Sequence, residues 1–188
     1  AEGRPVVLLS GHFGNYEAWR HVLHREGHLV AALYREMANP YVNAHYARTL
    51  EAVSGPAFPQ GRGTLGFVRH LARGGIAGML FDVHVAEGVP IPFLGRPAMT
   101  ATTPADLALR TGALLVPCFG IRRPDGLSFD VALEAAIPQG DPVAMMAEAT
   151  RRLEARIEAD PGQWFWIHRR WKAIPARFGP VTPPSPPP

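Results

Sequence analysis

His12 and Glu17 lie five residues apart in the segment Ser10-Gly11-His12-Phe13-Gly14-Asn15-Tyr16-Glu17. On one continuous helix, five steps of about 100° would leave them roughly 140° apart, on different faces. They meet only if His12 sits in a turn and Glu17 in the first helical turn. The glycines on either side of His12 make such a turn easy. Glu17 would then accept a hydrogen bond from one ring nitrogen and leave the other free as a general base. No serine or cysteine stands in a nucleophile-elbow pattern, since Ser10-Gly11-His12 lacks Gly-x-Ser-x-Gly. The base would therefore act on a hydroxyl or amine of the substrate, which attacks an activated acyl group. A histidine beside a carboxylate is also an ordinary polar contact at a helix start, where a Glu suits the macrodipole. Spacing alone leaves both readings open.

Other chemistry-bearing residues carry less. Cys118 is the single cysteine, so no intramolecular disulfide framework exists. It falls within an apolar run and reads as a small buried hydrophobe. His21, His24 and His28 approach one helix face, but Gly27 ends the helix before His28 and no carboxylate or thiol completes a site. No metal and no cofactor is expected.

The elements that must position His12 alternate. Val6-Val7-Leu8-Leu9 reads as a strand buried on both faces. Asn15 is a candidate N-cap for a helix carrying Trp19, Val22 and Leu23, with Gly27 as its stop. Strands follow at 29–34, 76–81 and 114–119, with helices at 40–53, along the Leu65, Val68, Leu71 stripe, from Thr103-Pro104, and from Asp141-Pro142 to about residue 159. Asp125-Gly126 marks a hairpin. The expectation is an α/β, three-layer domain with a mostly parallel central sheet, helices on both faces and an antiparallel edge near that turn. Chemistry in such sheets sits at the carboxyl ends of the strands. Residues 83–99 are Pro-rich and apolar, and read as a loop walling a groove or touching a membrane. Core packing of Ile91, Phe93 and Leu94 is the alternative. Trp164 and Trp166, alternating with Phe165 and Ile167, suit a strand buried on both faces better than a bilayer-interface belt.

Composition sets the frame. The chain has 188 residues, 47% apolar, which excludes a disordered chain and is enough for one domain with a substantial core. Of its cations only Lys172 is lysine; the rest are arginine, and the formal net charge is +3. That modest excess, with no recognised module, disfavours nucleic acid as a partner. The basic residues Arg151, Arg152 and Arg156 read as part of a packing helix, with a face for an acidic carrier or anionic lipid as the alternative. The run from Thr111 to Ile121 is uncharged but far short of the roughly 20 residues that span a bilayer. Residues 180–188 hold six of the 20 prolines and read as a disordered, polyproline-type tail.

Five blocks, in order, carry a resemblance. They are His12-Phe13-Gly14-Asn15-Tyr16-Glu17, then Tyr34-Arg35 with Asn39-Pro40, then Gly78-Met79-Leu80-Phe81-Asp82. Next comes Val89-Pro90-Ile91-Pro92-Phe93-Leu94-Gly95-Arg96-Pro97-Ala98, and last the tryptophan-rich block from Gln163 to Lys172. Together they resemble the lysophospholipid acyltransferase superfamily, in its branch of late acyltransferases of lipid A biosynthesis. The likeness covers nearly all of residues 5–172. The chain departs from it at Tyr16, where Trp is common, and at Val83-His84, where Gln commonly follows the matched Asp82.

The resemblance implies transfer of a fatty acyl chain from an acyl carrier protein or coenzyme A thioester to a hydroxyl of a lipid A precursor. His12 would be the base and Glu17 its orienter. Arg35 and Arg96 would take acceptor phosphate, a role that suits the planar guanidinium fork. Asp82 would shape or polarise the acceptor pocket, with Phe13, Gly14, Asn15, Tyr34 and Phe93 also on the substrate site. The expected setting is the cytoplasmic face of a bacterial inner membrane, with residues 1–179 as the catalytic domain and an anchor upstream of the chain. Two rivals remain: the same chemistry on another glycolipid or phospholipid, and a non-catalytic lipid-binding module on the same fold.

Overall fold

The computed structural model describes residues 3–179. The Pro-rich segment 180–188 lies outside the described residues. Six strands form one sheet: β1 (Val6–Ser10), β2 (Val30–Tyr34), β3 (Ala57–Pro59), β4 (Ile76–Leu80), β7 (Leu114–Arg122) and β8 (Phe129–Leu133), in the order β3-β2-β4-β1-β7-β8. All neighbours are parallel except β7 and β8, which pair antiparallel across the Asp125-Gly126 turn. The expected mostly parallel sheet with an antiparallel edge is the fold observed.

Strand β1 is central and buried throughout, and its side chains alternate between two cores. Val7 and Leu9 join the larger core with α3 (Thr64–Ala72), α4 (Thr103–Thr111) and α5 (Pro142–Ala159). Val6 and Leu8 pack on the opposite face with Trp19 of α1 (Ala18–Arg25), Val30 and Cys118. Fully burying a large side chain such as Trp19 or Leu9 contributes about 2–3 kcal/mol. Helix α2 (Pro40–Val53) starts as the sequence requires. Asn39 Oδ1 accepts from the amides of Tyr41 and Val42, and Pro40 takes the first helical position. No helix among the described residues is long and apolar enough to cross a membrane.

Three local expectations are corrected. Residues 83–99 do not form an open loop: β5 (Val89–Phe93) and β6 (Arg96–Thr100) make a separate hairpin. Its two-residue turn, Leu94-Gly95, has positive φ at both positions (47° and 69°), the twist that joins tight antiparallel strands. Ile91 and Phe93 are core residues, each 1% exposed. Residues 164–167 are not a buried strand. Only Trp164 is bridged, to Phe13, and the chain then turns back with the Trp166 amide on the Trp164 carbonyl. Phe165, Trp166 and Ile167 are left exposed. In α3 the buried pair is Phe67 and Leu71, while Leu65 faces solvent. The edge strand β3 has no counterpart in the sequence pattern. Gly55-Pro56 and Pro59 disguise it, and only an edge tolerates such prolines. Arg151, Arg152 and Arg156 are engaged by Glu148 and Glu134, so that face is a packed ion-pair network rather than a free basic surface.

Candidate active site

Strand β1 hands the chain to α1 through a turn held by backbone and side-chain contacts. The Gly14 amide donates to Gln163 O (2.9 Å) and the Asn15 amide to Gly120 O (2.9 Å). Asn15 caps the turn rather than the helix: its Oδ1 accepts from the Glu17 amide, and α1 begins at Ala18. Gly14 has φ +56°, and a Cβ there would lie 2.0 Å from Gly120 O. Gly14→Ala is therefore expected to cost about 2–4 kcal/mol, combining left-handed strain with a backbone clash. A drop in the urea midpoint at unchanged slope checks it.

The turn aims His12 at Asp82, just past the end of β4, the strand beside β1. Asp82 Oδ1 lies 2.7 Å from His12 Nδ1, and Oδ2 accepts from the His12 amide (2.8 Å) and from Trp164 Nε1 (2.8 Å). One carboxylate thus grips both the main chain and the ring of the same residue, which fixes the imidazole's direction. Asp82 is 3% exposed. Burial alone would push its carboxyl up, but the hydrogen bond and charge of His12, the Trp164 indole and the His12 amide together hold it below the usual carboxylate range. In the tautomer that donates Nδ1–H to Asp82, Nε2 carries the lone pair. No protein group among the described residues bonds it, and the side chain is 26% exposed.

The depressed Asp82 carboxyl carries a linkage consequence. Its ionised form contributes stability that is fully present above the unfolded carboxylate range and is lost as pH falls through the folded value. Trp164→Phe removes one of the three donors and raises the folded value. Acid unfolding, followed by circular dichroism, should then begin at a higher pH than in the parent protein.

Glu17 is not the partner of His12, contrary to the expected dyad. Its Oε2 accepts from Arg20 (2.5 Å), a guanidinium 2% exposed that also donates to the carbonyls of Val30, Leu50 and Ser54. Glu17 neutralises a buried cation that fastens α1 to β2 and to the end of α2. Its side chain still lines the cleft.

That cleft, about 590 Å³, opens over the carboxyl ends of β1, β2 and β4. Of the residues expected at the site, His12, Glu17, Tyr34 and Arg35 line it, and Asp82 sits beneath His12. The others do not reach it. Phe13 is buried against Phe119, and Gly14 and Asn15 build the turn. Phe93 is stacked on Trp171 in the core. Arg96 lies over the Trp171 ring at 5.5 Å, away from the cleft. Tyr16, Tyr46, His84 and His168 also line the cleft; Tyr16, His84 and His168 fall in or beside the resemblance blocks, but no spacing marks any of the four as a site residue. The Tyr16 ring meets His12 edge-to-face at 5.3 Å. Burial, and then the Glu17 charge, push its phenol up, so it stays protonated. Among the described residues the local hydroxyl and thiol offer no nucleophile. Ser10 is fully buried with Oγ on Gly11 O, and burial pushes the Cys118 thiol up. The arrangement suits a base that activates a hydroxyl brought in by the substrate.

A family model described as bacterial lipid A biosynthesis acyltransferase matches residues 1–173. The chain is 22% identical over 170 residues to a lipid A biosynthesis acyltransferase of Haemophilus influenzae, covering 89% of this chain and 54% of that protein. It is 33% identical over 97 residues to the lipid A biosynthesis lauroyltransferase of Escherichia coli K12, covering 48% and 31%. It is 31% identical over 86 residues to a phosphatidylinositol mannoside acyltransferase of Mycobacterium tuberculosis H37Rv, covering 46% and 27%. The chain thus spans about half, or less, of the length of these relatives. With the blocks around His12, Asp82 and Trp164 all inside the matched span, the chain belongs to the bacterial lipid A biosynthesis acyltransferase family.

Proposed function

We propose that this chain is the catalytic domain of an O-acyltransferase. It moves a fatty acyl chain from a carrier-protein or coenzyme A thioester to a hydroxyl of a lipid A-type acceptor. The observation that carries the proposal is His12, clamped through Nδ1 by a buried carboxylate, with Nε2 left at a cleft without a partner among the described residues. His12 Nε2 takes the proton from the acceptor hydroxyl as its oxygen attacks the thioester carbonyl. The tetrahedral intermediate collapses, the carbon–sulfur bond breaks, and the proton passes to the departing thiolate. Asp82 keeps the imidazole in the required tautomer and balances the imidazolium that forms. Glu17 acts one step back, by holding Arg20 and with it the base of α1.

Membrane contact on the cytoplasmic side of a bacterial inner membrane belongs to the same reading, because a lipid acceptor has to be met at its surface. The mycobacterial relatives favour a second acceptor class, a glycosylated phospholipid. Purified protein supplied with a long-chain acyl thioester and a panel of lipid A precursors, phosphatidylinositol mannosides and lysophospholipids tests both. Mass spectrometry should find one acceptor heavier by one acyl group. Acyl-lipid binding with no product on any acceptor would instead support a non-catalytic module.

A further inference from the structure

We infer that Tyr16 is a further catalytic residue: its phenol donates a hydrogen bond to the oxyanion formed when the acceptor oxygen adds to the thioester carbonyl. The inference rests on the acyl-transfer reading and names the group that meets the negative charge in it. Addition forms a carbon–oxygen bond and moves the carbonyl π pair onto oxygen, while His12 Nε2 takes the hydroxyl proton. Such a charge needs a donor that is in place before the reaction begins.

The turn that carries His12 has already committed most of its amides. The His12 amide donates to Asp82 Oδ2, the Gly14 amide to Gln163 O, the Asn15 amide to Gly120 O and the Glu17 amide to Asn15 Oδ1. Nearby side-chain donors are engaged as well. Trp164 Nε1 is on Asp82, and the Arg20 guanidinium is on Glu17 and three carbonyls. Arg35 follows β2, which β4 separates from β1. Two rings pack against His12, Tyr16 at 5.3 Å and Phe165 at 6.0 Å between centroids. Of these two, only Tyr16 carries a polar group. It lines the cleft beside His12, and its hydroxyl has no protein partner among the described residues.

The chemistry of the phenol agrees with a donor's role rather than a base's. Burial, and then the Glu17 charge, keep it protonated. It can therefore give a hydrogen bond without giving up its proton, which stays on the Tyr16 oxygen through addition and collapse. When the carbon–sulfur bond breaks, the carbonyl re-forms and the hydrogen bond weakens. The contact is strongest where the charge is greatest, so it raises turnover rather than binding of the thioester. The edge-to-face packing on His12 holds the ring's direction, and the apolar body leaves the polar tip to the cleft.

The test is Tyr16→Phe, which removes one oxygen and keeps the ring against His12. Single-turnover transfer should fall about 10²-fold, with the KM for the thioester within about twofold of parental. Tyr46→Phe is the control. It removes another cleft phenol, one packed on Tyr34 at 5.8 Å, and turnover should stay within about twofold of parental. A second measurement needs no acceptor. A decyl trifluoromethyl ketone takes up water at its carbonyl to give a tetrahedral oxyanion, the proton going to His12, whereas decyl methyl ketone stays trigonal. By calorimetry and fluorine NMR, the parent protein should bind the fluoroketone about 10²-fold more tightly than the methyl ketone. In Tyr16→Phe that preference should shrink about tenfold or more, with methyl ketone affinity unchanged. No preference in the parent, a preference retained in Tyr16→Phe, or an equal loss for both ketones would overturn the assignment. So would parental turnover in Tyr16→Phe, or an equal loss of turnover in Tyr46→Phe. Acyl transfer by the parent decides the acyltransferase reading separately: the ketone preference can fail while transfer stands, and the reverse.

Discussion

Replacing His12 by Gln is expected to lower acyl transfer by roughly 10²–10⁴-fold while leaving the protein folded, the range that a positioned general base supplies. The reasoning starts from what the change removes. Gln has no nitrogen basic enough to take a proton from an attacking hydroxyl, so the proton would have to go to water. What remains is positioning in the cleft and whatever the surrounding donors provide, which is why the rate should not fall to zero. The structural cost should be small. His12 is partly exposed, and Asp82 keeps two of its three donors, the His12 amide and the Trp164 indole. The measurement is single-turnover transfer at saturating thioester and acceptor, beside a thermal melt. A His12→Gln protein that retained near-parental turnover would sink the mechanism, whatever the identity of the acceptor.

That the proposed base is legible in the sequence while its partner is not has a physical cause. His12 announces itself because glycines, an apolar strand and a helix start surround it within a few residues. Local signals of this kind also give α2 its full span, between Asn39-Pro40 and Ser54-Gly55-Pro56, and give the β7–β8 hairpin its turn. The Nδ1 partner is Asp82, 70 residues away. It comes within reach only because β4 pairs beside β1, and nothing in spacing records strand order. Glu17, close in sequence, is the natural local candidate. Its real partner, Arg20, reads as a solvated helix cation until the fold buries it between α1, β2 and α2. Family resemblance does mark Asp82 as a site residue, but for the acceptor pocket rather than for the histidine. The hairpin of residues 83–99 stays hidden because Pro90, Pro92 and Pro97 imitate a loop and Leu94-Gly95 replaces the usual Asn-Gly turn. Arg96 and Phe93 are misplaced with it: once the hairpin forms, Phe93 is core and Arg96 stacks on Trp171.

The two carboxylates make opposite predictions, and together they decide which one serves the histidine. Asp82→Asn should cost about 10³–10⁴-fold in turnover. An amide in that position presents an N–H to Nδ1, which forces the ring's own proton onto Nε2 and removes the base. Its carbonyl oxygen can take the place of Oδ2 and accept from both the His12 amide and the Trp164 indole, so the loss should fall on turnover rather than on the fold. Glu17→Gln should leave turnover within about tenfold, because the new amide touches neither ring nitrogen and can still accept from Arg20. Its cost falls on the fold instead. The buried Arg20 charge loses its counter-charge, and the part-exposed position of Glu17 moderates the penalty to about 1–2 kcal/mol. Turnover measured well below both melting midpoints, with urea unfolding of each variant, reads the two effects separately. If Glu17→Gln abolished turnover and Asp82→Asn did not, the local pair would be the working one after all, and the His12–Asp82 contact would be no more than a scaffold.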